Sequence, residues 1–313
     1  MSDDVSVPDP DDPSFVYDEL AFLGENCAEY GLAAPDDVTV RRVHHVLADG
    51  REISGLRWGD DDPRIVLVHG GAQNAHTWDT VALALRPIPL LAVDLPGHGR
   101  SSWRPDRAYD PVSNAEDLTE AIGALAPDAG LVVGMSLGGL TSIALTRRLE
   151  SMRRLVLVDI TPGVNAEKAK AVHDFISGPQ SFPSFGEIFD RTVEFNPTRT
   201  PESLRRGILH NAHRTDDGSW EWNYDRRPMA ELPDGELDVS GPLLWGHISG
   251  TAVPILLVRG GLSPVVDDDD VAELLRRRPD AEVVVVDGAG HSIQGDRPLE
   301  LAAMLRAELD AID

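Results

Sequence analysis

The chain has 313 residues, 42% of them hydrophobic, enough for one large core with a smaller inserted unit. A formal net charge of −25 excludes nucleic acid and other polyanions as expected partners, because like charge repels over most of the surface. Cys27 stands alone, which rules out an intrachain disulfide and fits a packed small side chain. With no basic or apolar leader at Met1-Ser2-Asp3-Asp4 and no apolar run near the ~20 residues of a membrane span, a cytoplasmic protein is expected.

The first 13 residues are too rich in Asp and Pro to be buried. Apolar positions three and four apart from Phe15 to Tyr30 predict a helix, which packs on its own core or offers a contact to a second copy of the chain. Val38–Val46 and Glu52–Trp58 read as an antiparallel hairpin turned at Ala48-Asp49-Gly50. Strand and helix patterns then alternate: Arg64–Val68 ends in His69-Gly70-Gly71, and Pro89–Asp94 ends in Leu95-Pro96-Gly97-His98-Gly99-Arg100-Ser101-Ser102. This alternation argues for a parallel sheet covered on both faces. Leu131-Val132-Val133 leads into Gly134-Met135-Ser136-Leu137-Gly138-Gly139, and an apolar helical run, Leu140 to Leu145, leads out. A serine on a strand-to-helix turn this tight needs glycine two residues to either side, since a Cβ there meets backbone.

The next strand, Leu155–Val158, is closed by Asp159, and Thr161-Pro162-Gly163 breaks the pattern. From there to Ala252 no strand is obvious, and the segment reads as helical, with much of the chain's aromatic content. Val253–Val258 resumes the sheet, and Ala281–Val286 is its last strand, followed by Asp287-Gly288-Ala289-Gly290-His291. Helices near Val271–Arg277 and Leu299–Leu309 complete the pattern.

The His-Gly-Gly loop, Asp-Leu-Pro-Gly-His-Gly-Arg-Ser, the glycine-flanked serine and the terminal Gly-x-Gly-His occur here in one order. In these four motifs the chain resembles the capped branch of the α/β-hydrolase family, from about Val38 to the C-terminus. The resemblance implies a mostly parallel eight-stranded sheet with helices on both faces. It divides the chain into an acidic extension with a helix (1–35), a core in two parts (36–162 and 253–313) and a helical cap between them (163–252).

A serine hydroxyl attacks only when a base takes its proton, and His291, on a glycine-rich loop at the same sheet edge, is the candidate base for Ser136. The resemblance implies an oxyanion hole from the backbone N–H groups of Leu137 and Gly71, and structural roles for His69 and His98. The acid departs from the commonest pattern: after Val253–Val258 the expected Asp position holds Ser263, which cannot stabilise an imidazolium by charge. Two placements stay open. Asp159 closes the strand after the nucleophile helix and is favoured, while Asp267, the alternative, heads a run to Asp270 that reads as a helix N-cap and first turn.

In the cap, Trp220, Trp222 and Trp245 are candidates to line the substrate cleft. His210 and His213 share a helical face, but no third ligand accompanies them, so a solvated face is expected and no metal. No phosphate-loop or dinucleotide fingerprint is present, and no cofactor is expected. The predicted activity is hydrolysis of a carboxylic ester, lactone or related acyl bond of a moderately large apolar or aromatic small molecule through an acyl-enzyme. Two alternatives remain. One is C–C hydrolysis of a dienoate, disfavoured by Ala72-Gln73-Asn74 where such relatives carry Gly-Pro-Gly. The other is a small-molecule sensor built on the same body.

Overall fold

Residues alternate along each strand, so a sheet with helices on both faces needs two apolar sets one residue out of phase. The computed structural model, which describes residues 9–36, 38–165, 167–226 and 241–312, shows both sets. Val66, Val68, Val132, Leu155 and Leu157 belong to one core, and Ile65, Leu67, Leu131, Val133, Val156 and Val158 to the other. Strands β1 (Val40–Val46), β2 (Glu52–Trp58), β3 (Ile65–Val68), β4 (Leu90–Val93), β5 (Leu131–Met135) and β6 (Arg154–Val158) precede an insertion. β10 (Ile255–Gly260) and β11 (Glu282–Val286) follow it. The eight strands lie in the order β1-β2-β4-β3-β5-β6-β10-β11, with β1 antiparallel to β2, β2 antiparallel to β4, and every other pair parallel.

This order positions the site. β5, β6 and β10 are neighbours in parallel register, with Gly134 opposite Leu157 and Val158 opposite Val258. The loops after these strands therefore open at one edge of the sheet, where ligands bind in parallel α/β folds.

Helix α1 covers Leu23–Tyr30 only, eight residues shorter at its start than the spacing predicts. Upstream, the Asp12 and Asp18 carboxylates accept the N–H groups of Ser14 and Leu20, local bonds that compete with helical ones. Residues 15–22 instead form a strap. Phe15, Tyr17 and Phe22 pack into the core of the insertion, while Leu23 and Cys27 on α1 pack into one core of the main sheet. The apolar face of α1 is thus spent inside its own chain.

The insertion contains α5 (Lys170–Ile176), α6 (Phe185–Phe195) and α7 (Pro201–Asn211). Ser184 and Thr200 cap α6 and α7 by accepting the N–H groups of Glu187 and Ser203. Three short strands stand where no strand is obvious in the sequence: β7 (Ser181–Phe182), β8 (Ala212–Arg214) and β9 (Trp220–Trp222) form an antiparallel sheet in the order β7-β9-β8. At two or three residues each they are too short to show an alternating pattern. The expected end of the insertion needs correction. Helix α8 (Gly241–Gly250) buries Leu244, Trp245 and Ile248 in a core of the main sheet. Helices α2 (Asp79–Leu85), α3 (Pro111–Leu125), α4 (Leu137–Leu145), α9 (Asp268–Arg277), α10 (Ile293–Asp296) and α11 (Pro298–Asp310) complete the main layers. Among the described residues no helix is long and apolar enough to cross a membrane.

Candidate active site

Ser136 sits between β5 and α4 with φ 51° and ψ −121°, a left-handed conformation that an L-residue adopts only when its surroundings enforce it. The enforcement is steric. A Cβ on Gly134 would lie 2.4 Å from the Gly138 carbonyl oxygen, and one on Gly138 would lie 2.3 Å from that of His69. These are backbone atoms that cannot step aside, so Gly138→Ala should cost about 1–3 kcal/mol by overpacking, read as a lower Tm in thermal unfolding. An unchanged Tm would show that the turn is looser than this packing requires.

His291 follows β11, and its Nδ1 lies 2.8 Å from Oδ2 of Asp159, the donor–acceptor distance of a charge-assisted hydrogen bond. Asp159 is fully buried at the end of β6, itself at a positive φ of 52°. Three donors converge on its carboxylate: the Gly260 N–H on Oδ1 at 2.8 Å, and the Ser263 hydroxyl and His291 on Oδ2. Ser263, at the position where an acid is expected, therefore donates to the acid of the neighbouring strand and accepts the Val265 N–H at 3.2 Å. The sequence signal for this was a small hydroxyl residue at an acid's usual place.

Asp267 lies elsewhere. It caps α9 in a reciprocal box with Asp270, and the Lys168 ammonium 2.9 Å away holds its carboxyl below the usual range. Lys168 also contacts Asp270 at 2.8 Å, tying the insertion to the start of α9.

Ser136 and His291 share the wall of a cavity of about 280 Å³, to which Gly70, Gly71 and Gln73 contribute from the loop after β3. Leu137 opens α4, so its N–H has no carbonyl one turn back to bond. The Gly71 loop is held from three sides. His98 Nε2 accepts the Ala72 N–H at 3.1 Å, Gln73 Oε1 accepts the Gly70 N–H at 3.1 Å, and Asn211 donates to the Ala72 carbonyl at 2.6 Å. His69 accepts the Leu95 N–H through Nε2, which places its proton on Nδ1, facing the Gly70 carbonyl at 2.7 Å. Burial lowers the pKa of both imidazoles, that of His69 to about 3, so each is neutral and bound at both nitrogens.

The insertion closes this cavity with Phe175, Ile176 and Phe195, and adds Lys168, Asn196 and Thr198 as polar groups. None of the three tryptophans lines it, which corrects the expectation for each. Trp220 stacks edge-on against Phe185 with ring centroids 5.1 Å apart, and its indole N–H donates to Asp11 at 2.8 Å. Trp222 packs among Phe175, Phe182 and Tyr224 and borders a neighbouring cavity. Trp245 lies on α8 beneath the Arg277 guanidinium, 5.1 Å from its ring. Large flat rings give a small insertion much of its own core, which has taken Trp220 and Trp222, while Trp245 is spent in a core of the main sheet. The sequence pairing of His210 with His213 also fails, because α7 ends at Asn211 and His213 lies on β8 against Asn223.

Residues 65–304 match the sequence model of the alpha/beta hydrolase family. The chain belongs to that family. It is similar to esterase Rv0045c of Mycobacterium tuberculosis, 44% identical over 308 residues that cover 96% of this chain and 98% of the relative. A structure of that M. tuberculosis esterase, solved in work on its transition metal inhibition, superposes with a TM-score of 0.83 at 42% identity, covering 95% of this chain and all of the other. The 3-hydroxybutyrate-oligomer hydrolase of Cupriavidus necator is 28% identical over 259 residues, covering 78% of this hydrolase and 88% of the relative.

Proposed function

We propose that this hydrolase is a serine esterase that cleaves a carboxylic ester or lactone of a small molecule through an acyl-enzyme, with the insertion acting as its cap. The observation that carries this reading is the 2.8 Å contact of His291 with a buried carboxylate, on the wall of the cavity that holds the strained Ser136. Bonding to Asp159 fixes the proton on Nδ1 of His291 and leaves Nε2 as the base. Ser136 Oγ attacks the carbonyl carbon as its proton passes to Nε2, and the carbonyl oxygen takes the negative charge beside the N–H groups of Leu137 and Gly71. The C–O bond then breaks and His291 returns the proton to the departing alcohol. Water, deprotonated by His291, next attacks the acyl carbon, and Ser136 leaves as the hydroxyl.

The relatives' esterase and oligomer-hydrolase activities favour ester over C–C cleavage here. Phe175, Ile176 and Phe195 favour an apolar or aromatic portion in the substrate. The experiment is labelling with a fluorophosphonate followed by peptide mapping, together with an ester and lactone panel. Adduct at Ser136 and turnover of at least one ester support the reading, whereas adduct at another serine overturns it. Labelling without turnover would favour a sensor.

Ser263 has a positioning role in this scheme, holding Asp159 rather than touching substrate. Ser263→Ala removes one donor from a buried carboxylate, a loss of about 1.5–3 kcal/mol, and we expect kcat to fall roughly tenfold or more with KM little changed. Ser263→Thr, which restores the hydroxyl, should recover most of it. A change confined to KM would place Ser263 in substrate binding instead.

A further inference from the structure

Away from Ser136, where the loop after β3 meets the insertion, His76, Asp79 and His210 converge. His76 and Asp79 lie on one turn at i, i+3, and His210 comes from the last turn of α7. All three are buried, with 8%, 2% and 8% of their surface exposed. One nitrogen of each imidazole and a carboxylate oxygen lie within 4.8 Å of one another. His76 Nδ1 is 2.9 Å, and His210 Nε2 3.8 Å, from Asp79 Oδ2.

Two further observations point to a ligand. Among the described residues, His210 Nε2 and Asp79 Oδ1 are buried and meet no hydrogen-bond partner, a costly condition unless something occupies the space they face. Each imidazole is also held at its other nitrogen, His76 Nε2 by Glu19 at 3.1 Å and His210 Nδ1 by the Tyr17 hydroxyl at 2.7 Å. Outer partners of this kind orient metal-bound histidines and fix their tautomers.

We infer that His76, Asp79 and His210 form a binding site for a single first-row transition-metal ion of the zinc or cobalt kind. Ligand bonds of about 2.0–2.2 Å in a tetrahedron separate the ligand atoms by roughly 3.3 Å, and the observed 2.9 and 3.8 Å bracket that spacing. The ion replaces the proton shared by His76 Nδ1 and Asp79. A fourth position opens to the cavity of about 150 Å³ that all three residues border. The two rings stack at 3.8 Å and 7°, so an ion in the plane of His76 lies outside that of His210. Ligation therefore turns the His210 ring out of the stack, with the Tyr17 hydroxyl following it.

The test is titration of the full chain with Co(II), read by the d–d absorption of four-coordinate cobalt. The wild type should bind one equivalent. His210→Gln and Asp79→Asn should each lower affinity by on the order of 100-fold or more, Tyr17→Phe should lower it about 10–100-fold, and His213→Gln should leave it unchanged. Anomalous difference density from a cobalt-soaked wild-type crystal supplies a reading that needs no variant, with its peak expected between the three residues. Absence of saturable one-to-one binding, full affinity in both ligand variants, or a peak at His291 or a surface histidine such as His44 would overturn the inference.

Discussion

Ester turnover should fall by on the order of 10⁴- to 10⁶-fold in Ser136→Ala, because the base and the oxyanion donors have nothing to act on once the nucleophile is gone. The remaining rate should be that of bound ester meeting water. Folding should be intact, since glycines 134 and 138, rather than the serine hydroxyl, make the turn possible. Steady-state kinetics on the best ester of the panel, with thermal unfolding as the control, decide the matter. Residual activity within tenfold of wild type would remove Ser136 from the chemistry.

The second large effect separates two carboxylates. In Asp159→Asn the buried amide can offer an N–H to His291 Nδ1, which drives the imidazole proton to Nε2 and leaves no lone pair for the serine. A loss of about 10⁴-fold in kcat is the usual cost of that wrong tautomer. Asp267→Asn should stay within a few-fold, because its carboxylate caps α9 and pairs with Lys168. The amide keeps the capping oxygen, so stability should change little. The reverse ranking of the two variants would move the acid to α9 and require the loop after β10 to rearrange during turnover.

Much of this architecture is legible in the sequence because its signals are local. The β3 and β5 runs are apolar throughout, as is β6 after Arg154, and Gly134 is dictated by its contacts with Gly138 and Gly139 a few residues on, although Gly138 answers to the more distant His69 carbonyl. The acid is not local. Loops after β6 and β10 open at the same sheet edge, so either can reach the His291 loop, and which one does depends on register between neighbours a hundred residues apart. Ser263 looks like the loss of an acid when read alone, and becomes intelligible only beside Asp159. The tryptophans mislead for a related reason. A run of aromatics has the same appearance whether it faces a ligand or itself, and Trp220 and Trp222 turn out to hold β9 against α6 and β7. His210 and Asp79 share no sequence signal at all, since α7 and α2 meet only after the insertion has docked.

The acidic turn just ahead of the strap has a consequence for the chain as it leaves the ribosome. Asp11 accepts the N–H of Phe185 and the indole N–H of Trp220, partners made 174 and 209 residues later. At about 5–20 residues per second, Asp11 waits roughly 10–40 s for these partners to be made. During that interval β1 to β6 can pair, yet the segment that will fasten the insertion stays unclaimed. Its acidic, proline-broken composition keeps such a segment soluble and unpaired while it waits. Asp11 is thus made long before its partners and is among the last residues to find its place.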